Sequence, residues 1–206
     1  MSAGQGINAA AICLSIVVLV RIGLLPRTFF RPGRRTVAWW LNSAPFWVAG
    51  SGLLAVLLGV ASPDLELGGA ASVGSSLLAA AAAAAALSLM RRTLAAHEQP
   101  LALWHQPDDV PSHLVTTGPY AWVRHPFYAA FLLALLGCLL AAPHWSTLAA
   151  LGFGAHRLNG TAAAEEARFL GSGLGARYAA YARETGRFVP RLGGGTLRRF
   201  SPFTRT

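Results

Sequence analysis

The chain has 206 residues, of which 54% are hydrophobic and only 12% are charged. Soluble domains carry about 25% charged residues, so this composition excludes an ordinary soluble enzyme and is typical of an integral membrane protein. The formal net charge of +9 would indicate nucleic-acid binding in a soluble protein. Here the arginines lie around and between apolar runs, where membrane topology accounts for them.

The apolar runs predict an all-α integral membrane protein with about five transmembrane helices and a cytoplasmic C-terminal cap. They cover residues 7–25, 37–61, 67–90, 126–142 and 145–158. No basic residue precedes the first run, which favours a retained membrane helix over a cleaved signal peptide. The last two runs are short for full spans, so a tilted or partly inserted hairpin around Pro143-His144 is also compatible with the sequence.

The positions of the seventeen arginines predict how these helices are oriented. Arginines occur near and after the end of the first run, between the third and fourth runs, and from the end of the fifth onward. Residues 1–6, 62–66 and 143–144 contain none. By the positive-inside rule, the amino end is outside and the carboxyl end is in the cytoplasm. We expect a multi-pass protein of the cell membrane whose active site faces the cytoplasm, with the bilayer as a partner and no nucleic acid bound.

Two features of the runs concern packing. Residues 79–86 of the third run are all alanine, and such small side chains permit close helix packing, although a composition bias explains them equally well. Cys13 and Cys138 lie within apolar runs without a CxxC motif, so we interpret them as small packing residues.

The stretch 115–128 reads VTTGPYAWVRHPFY and directly precedes residues 129–142, the remainder of the fourth apolar run. Polar side chains at the mouth of a membrane helix are costly to hold there and usually serve a function. A belt of residues at the membrane interface would account for the aromatic residues and for Arg124. It would not account for Gly118-Pro119 followed so soon by His125-Pro126.

Three groups of residues are candidates for a ligand site. The first is His113-Leu114-Val115 with residues 118–120, a turn-rich stretch that can bring backbone amides to a ligand. At His125-Pro126 we predict a helix start, whose free N–H groups and positive dipole end attract a carboxylate or phosphate. Glu165-Glu166 can accept hydrogen bonds from a ribose diol or neutralise an amine. An Ala-Glu-Glu-Ala tract is, however, also typical of a solvated helix face.

Motifs of soluble enzymes are missing from the sequence. It contains no GxGxxG after a strand, no P-loop and no GxSxG. His97, His105 and His113 recur every eight residues, which does not match the spacing of metal ligands. We therefore expect no metal.

Taken together, the motifs resemble those of the isoprenylcysteine carboxyl methyltransferase family, part of a wider group that includes the phospholipid methyltransferases. The resemblance rests on SHLVTTGPYAWVRHPFY, then the glutamate pair, then RYAAYARETGRFVP ending at Pro190, and it covers roughly residues 105–191. It implies a membrane enzyme that uses S-adenosyl-L-methionine, bound without a Rossmann fold in a pocket closed by the carboxyl-terminal end. The predicted organisation is membrane helices and a connector (1–110), a methyltransferase core with a helical hairpin and cap (111–191), and a flexible basic tail (192–206).

The resemblance also implies which residues bind the cofactor. Matched position by position, the family's pocket corresponds to Gln106 (loosely, because the intervening loop differs in length), His113, Leu114, Val115, Tyr120, His125, Pro126, Tyr128 and Glu165 or Glu166. The acceptor is expected to be a lipophilic small molecule or a lipidated one.

One position departs from the family pattern. The family usually carries an arginine about one helical turn before the glutamate pair, placed to meet the acceptor carboxylate, but residues 161–164 here read TAAA. The nearest upstream arginine is Arg157, which we take as the candidate catalytic residue, although it is also compatible with a residue that only marks the end of a span. The acceptor therefore stays open between an isoprenylcysteine-type carboxylate and a lipidic phenol, a pyrone or a thiol.

Two alternatives from other classes also remain. One is a membrane helical bundle without enzymatic activity. The other is an enzyme related to the sterol reductases, which share an RHPxY-like segment and use a nicotinamide cofactor. Those proteins are about twice as long and have more spans.

Overall fold

A computed structural model of the chain describes residues 3–28, 37–65, 67–97 and 113–191. Predicted site residue Gln106 and the predicted basic tail, residues 192–206, lie outside these described ranges.

The described residues form six α-helices, which confirms the all-α prediction for this part of the chain. A single isolated β-bridge joins Val123 and Gly186. In chain order the elements are α1 (Ala3–Thr28), α2 (Val37–Leu57), α3 (Gly69–Ala95), a 3-10 turn (Gly118–Ala121), α4 (Pro126–Ala141), α5 (Trp145–Leu170) and α6 (Gly175–Glu184).

Helices α1, α2 and α3 are long and apolar enough to cross a membrane, judged by length and composition. The chain is therefore a membrane protein, as predicted. Helix α4 is apolar but has only 16 residues, whereas about 20 are needed to span the hydrocarbon core. Helix α5 has 26 residues, but its second half is polar. The fourth and fifth spans stay a prediction.

Helix α5 extends beyond the fifth apolar run. It continues from Leu158, the last residue of the apolar run, to Leu170, because the polar residues that follow are interspersed with alanines, which favour helix strongly. As a consequence, Glu165 and Glu166 lie on the same continuous helix as the fifth apolar run.

The core is formed largely by α3 packed against α4. Ala79, Ala83 and Ala86 are buried on α3, and a Cβ atom added at Gly137 of α4 would lie 3.3 Å from the Ala79 carbonyl oxygen. The two backbones can approach this closely only because both contact surfaces carry small residues. The predicted role of the alanine tract in close packing is confirmed.

The connection between α2 and α3 meets the turn between α4 and α5. The Asp64 backbone N–H donates to the Pro143 carbonyl oxygen at 3.0 Å, and the Asp64 carboxylate accepts from the Trp145 backbone N–H at 2.6 Å. Both connections therefore lie at one end of the helices. They are two of the segments that contain no arginine.

Candidate functional site

The site is built where α4 begins. His125 is the N-cap residue and Pro126 the first residue of α4, and proline suits this position because the first helical N–H has no partner within the helix. The Arg124 N–H donates to the Gly186 carbonyl at 2.8 Å, and the His125 N–H donates to the Arg187 carbonyl at 3.1 Å. Residues 185–188, hereafter the C-terminal segment, therefore run beside the predicted helix start.

Glu166 on α5 joins this segment to the start of α4. Its Oε1 accepts from the Arg124 Nε at 3.0 Å and from the Arg187 Nε at 3.1 Å. Its Oε2 accepts from the Arg187 Nη2 at 2.7 Å. The Glu166 side chain is 14% exposed and that of Arg124 13%, so these charge-assisted hydrogen bonds are largely shielded from water.

The Arg124 guanidinium also contacts the end of α6 and the residue that follows it. Its Nη1 donates to the Ala182 carbonyl at 3.1 Å and to the Thr185 carbonyl. The Arg187 Nη1 donates to the Asn159 side chain at 2.7 Å. Both arginines thus connect different elements around one carboxylate.

The His125 imidazole contacts both carboxylates of the glutamate pair. Its Nε2 lies 3.2 Å from Glu166 Oε1 and its Nδ1 lies 3.4 Å from Glu165 Oε2. The Tyr128 hydroxyl, one helical turn further along α4, donates to Glu165 Oε1 at 2.5 Å. The structure therefore brings together His125, Tyr128, Glu165 and Glu166, four of the predicted site residues. Together with Arg124 and Arg187 they form the carboxylate cluster.

The charges of this cluster stabilise one another. Burial alone would lower the pKa of the His125 imidazole, but its hydrogen bonds to Glu165 and Glu166 outweigh burial and raise that pKa. Burial alone would raise the pKa of the Glu166 carboxyl, but the hydrogen bonds from His125, Arg187 and Arg124 hold it well below its usual range. The favoured state is an imidazolium beside ionised glutamate.

Aromatic rings border the carboxylate cluster. The rings of His125 and Tyr128 stack with centroids 5.4 Å apart and an interplanar angle of 3°. Phe188 of the C-terminal segment meets them edge-on, with centroids 6.1 Å from His125 and 6.5 Å from Tyr128. The cluster is therefore bordered by apolar surface from two separate parts of the chain.

Tyr120, in the 3-10 turn, lies beside the cluster. Its hydroxyl oxygen is 2.7 Å from the His97 Nε2, and its carbonyl accepts from the Tyr181 hydroxyl at 2.7 Å. Burial raises the pKa of the Tyr120 phenol, with further contributions from Tyr181 and Glu165. The Tyr181 hydroxyl therefore links the 3-10 turn to α6, the helix that directly precedes the C-terminal segment.

The remaining predicted residues that the structure describes lie before the 3-10 turn and in the middle of α5. His113 is exposed and Leu114 and Val115 are half-buried in the segment before the 3-10 turn. Arg157 lies about two turns before Glu165 on α5, and its Nε donates to the Asn42 side chain on α2 at 3.1 Å. Arg157 is thus positioned between α2 and α5, separate from the carboxylate cluster.

Sequence reasoning missed several residues that the structure brings to the site, namely His97, Arg124, Arg187 and Phe188. Two signals could have found the arginines. The first is that Arg124 and Arg187 both belong to the motifs quoted for the family resemblance. The second is that a pair of buried carboxylates requires cations beside it.

The predicted resemblance is confirmed by comparison with known proteins. The model of the isoprenylcysteine carboxyl methyltransferase family matches residues 101–169. The chain is also similar to the cobalt-zinc-cadmium resistance protein CzcN of Cupriavidus metallidurans, with 38% identity over 79 residues. That alignment covers 38% of this chain and 36% of CzcN, so the chain spans only about a third of that relative. No solved structure matches the chain.

Within the part of the chain that the structure describes, no group of three or more His, Cys, Asp or Glu residues could hold a metal ion.

Proposed function

We propose that this membrane protein transfers a methyl group from S-adenosyl-L-methionine to a lipophilic acceptor, and the match of residues 101–169 to the model of the isoprenylcysteine carboxyl methyltransferase family supports this proposal. The observation that carries the proposal is the convergence of His125, Tyr128 and the glutamate pair at the first turn of α4. Bound S-adenosyl-L-methionine would supply an activated methyl group on a positively charged sulfur.

The residues at the site suit a ligand that carries both a cation and a carboxylate. The Glu165 side chain is 25% exposed, and the nearby rings of Tyr128 and Phe188 are neutral aromatic groups, which attract cations. The N–H groups of the first turn of α4, together with the His125 imidazolium, suit a carboxylate. These residues would orient the methyl donor and exclude water, which is the main contribution that a protein can make to such a displacement.

The two glutamates have different tasks in this proposal. Glu166 is already bonded to Arg124, His125 and Arg187, so it holds the C-terminal segment over the site. Within the part of the chain that the structure describes, Glu165 contacts His125 and Tyr128 but neither arginine of the cluster. We assign the contact with the cofactor to Glu165 and a positioning role to Glu166.

For the acceptor we propose a molecule with a lipid tail that enters laterally between helices. Arg157 lies at the contact of α2 and α5, where Asn42 is buried and Thr161 also donates to the Arg157 carbonyl at 3.0 Å. A guanidinium at this position could meet a polar head group. The head group itself stays open between a carboxylate, a phenol, a pyrone and a thiol.

We further propose that the site faces the cytoplasm. Reporter fusions test this orientation: a reporter after Thr206 should be active only in the cytoplasm, and one at Pro63 only outside. A cytoplasmic signal from the Pro63 fusion would contradict the five-span arrangement.

Substitutions at the site test the cofactor assignment. His125→Ala and Tyr120→Ala should each weaken S-adenosyl-L-methionine binding, because removing a polar partner of a charged ligand costs ~1.5–3 kcal/mol, or roughly tenfold or more in affinity. His156→Ala, at an exposed histidine of α5, is the matched control. Unchanged calorimetric affinity in both site variants would place the pocket elsewhere.

A further inference from the structure

His97 lies just beyond the end of α3, and the proposed function assigns it no task. Its Nε2 is 2.7 Å from the Tyr120 hydroxyl oxygen. The two rings meet edge-on with centroids 5.2 Å apart, and the imidazole also stacks on Phe127 of α4 at 6.1 Å. The imidazole is thus fixed against the site by two aromatic residues, with one nitrogen directed at a phenol.

We propose that Tyr120 and His97 form a proton relay for an acceptor that must lose a proton on methylation, a weakly acidic hydroxyl of the phenol class. This inference rests on the proposed methyltransferase function and specifies its substrate. Tyr120 would contact the acceptor, and His97 would act through Tyr120 as the final proton acceptor.

The ionisation of both groups suits a relay. Burial lowers the pKa of the His97 imidazole, and His113 lowers it further, so His97 is neutral at neutral pH and can accept a proton. Burial, Tyr181 and Glu165 raise the pKa of Tyr120, so its phenol keeps a proton to donate. His113 in the preceding segment, Tyr181 on α6 and Glu165 on α5 are the titratable groups whose charges act on the pair.

Proton transfer through the pair is coupled to methyl transfer. The acceptor hydroxyl gives its proton to the Tyr120 oxygen while the Tyr120 proton moves to the His97 Nε2. The acceptor oxygen forms a bond to the methyl carbon with an electron pair. The carbon–sulfur bond breaks, and its electron pair stays on the sulfur. One positive charge disappears at the sulfonium and one appears on the imidazole.

The charges around the site favour such an acceptor over a carboxylate. A carboxylate acceptor is already deprotonated at neutral pH and needs a cation beside it, not a base. Arg124 and Arg187, the arginines that contact the glutamate pair, are both bonded to Glu166. Glu165 acts on Tyr120, so an acceptor that is already anionic would be repelled at Tyr120, whereas a neutral phenol held there is not repelled.

Methylation of two lipidic phenols tests the relay. The probes are 4-dodecylphenol and its more acidic nitro derivative, offered with tritiated-methyl S-adenosyl-L-methionine to the purified full chain. General acid–base catalysis contributes ~100-fold or more, so His97→Gln and Tyr120→Phe should slow methylation of the alkylphenol by about that factor. Both should slow the nitrophenol much less, because it loses its proton without help. His156→Gln, at an exposed histidine, is the matched control.

The pH profile gives a second readout that a purely structural role would not change. The wild-type rate should fall as the pH drops through the lowered pKa of His97, below the usual value of about 6.5. In His97→Gln this limb should be absent, and the rate should rise with pH toward the acceptor pKa of about 10.

Three results would overturn the relay. They are equal slowing of both phenols, an unchanged alkylphenol rate in both relay variants, and wild-type protein that methylates N-acetyl-S-farnesylcysteine but no phenol. Calorimetric binding of S-adenosyl-L-methionine separates the two levels of the proposal. Wild-type protein that does not bind it contradicts the methyltransferase function itself, whereas retained binding with one of those three results contradicts the relay alone.

Discussion

Glu166→Gln is the substitution that should release the C-terminal segment from the site. The glutamine keeps the shape of the side chain but removes its charge, and it presents an amide where the Arg187 Nη2 now donates at 2.7 Å. The remaining amide oxygen can still accept from the Arg124 Nε and the Arg187 Nε, but without the negative charge that strengthens these bonds. Two guanidinium groups and the His125 imidazolium would then share the site without their common carboxylate.

The size of the effect follows from the burial of the partners. Removing one partner of a buried ion pair costs ~3–5 kcal/mol. The Arg187 side chain is 32% exposed, and water can replace part of its interaction, so we expect a loss of about 2–3 kcal/mol in the free energy of opening the segment. This corresponds to a roughly 30- to 140-fold larger population of the open form.

Limited proteolysis measures that population, because cleavage of a transiently opened segment follows its equilibrium when opening is fast. Trypsin should cleave the Arg187–Phe188 bond of Glu166→Gln faster than that of the wild type, by about the factor above, with the products identified by mass spectrometry. Glu165→Gln is the matched control, since Glu165 contacts Tyr128 and His125 but neither arginine. Equal cleavage rates for Glu166→Gln and wild type would refute the assignment of Glu166 as the residue that holds this segment.

Three further predictions concern other parts of the site. The raised pKa of His125 contributes stability that is complete below the unfolded pKa of about 6.5 and is lost as the pH rises through the raised value. Scanning fluorimetry in detergent should show this loss of stability at alkaline pH in the wild type. An equal loss in His125→Asn would contradict the prediction. Gly186→Ala should lower thermal stability, because the added Cβ would overlap the Val189 carbonyl oxygen, whereas Gly173→Ala, with open space around it, should melt like the wild type. Arg157→Ala should reduce turnover of the acceptor far more than cofactor affinity, and unchanged turnover would leave Arg157 as a residue that only marks the end of a span.

The helices could be predicted from the sequence because apolar runs and a proline at a helix start are local signals. Helix α4 begins at Pro126, as expected, and α2 begins at Val37. Hydropathy marks the apolar part of α5 but does not mark where the helix ends. Helix α5 continues through Asn159 and the glutamate pair to Leu170, since a helix that leaves an apolar environment has no reason to end if its residues favour helix.

The partners within the site could not be predicted from local patterns. Glu166 and Arg187 are 21 positions apart, and they meet only because α6 reverses the direction of the chain after α5. His97 and Tyr120 are 23 positions apart, and no spacing rule connects a residue at the end of one helix with a 3-10 turn. The family resemblance named His125, Tyr128 and the glutamate pair, but it did not predict that Glu166 would be bonded to two arginines.

Calorimetric titration of the purified wild-type protein with S-adenosyl-L-methionine, and separately with NADPH, tests the central claim most directly. The carboxylate cluster and its aromatic surroundings suit a ligand with a positive sulfur, so we predict saturable binding of S-adenosyl-L-methionine and no binding of NADPH. Binding of NADPH instead would indicate a nicotinamide-dependent enzyme. Binding of neither would contradict the assignment of this site to methyl transfer.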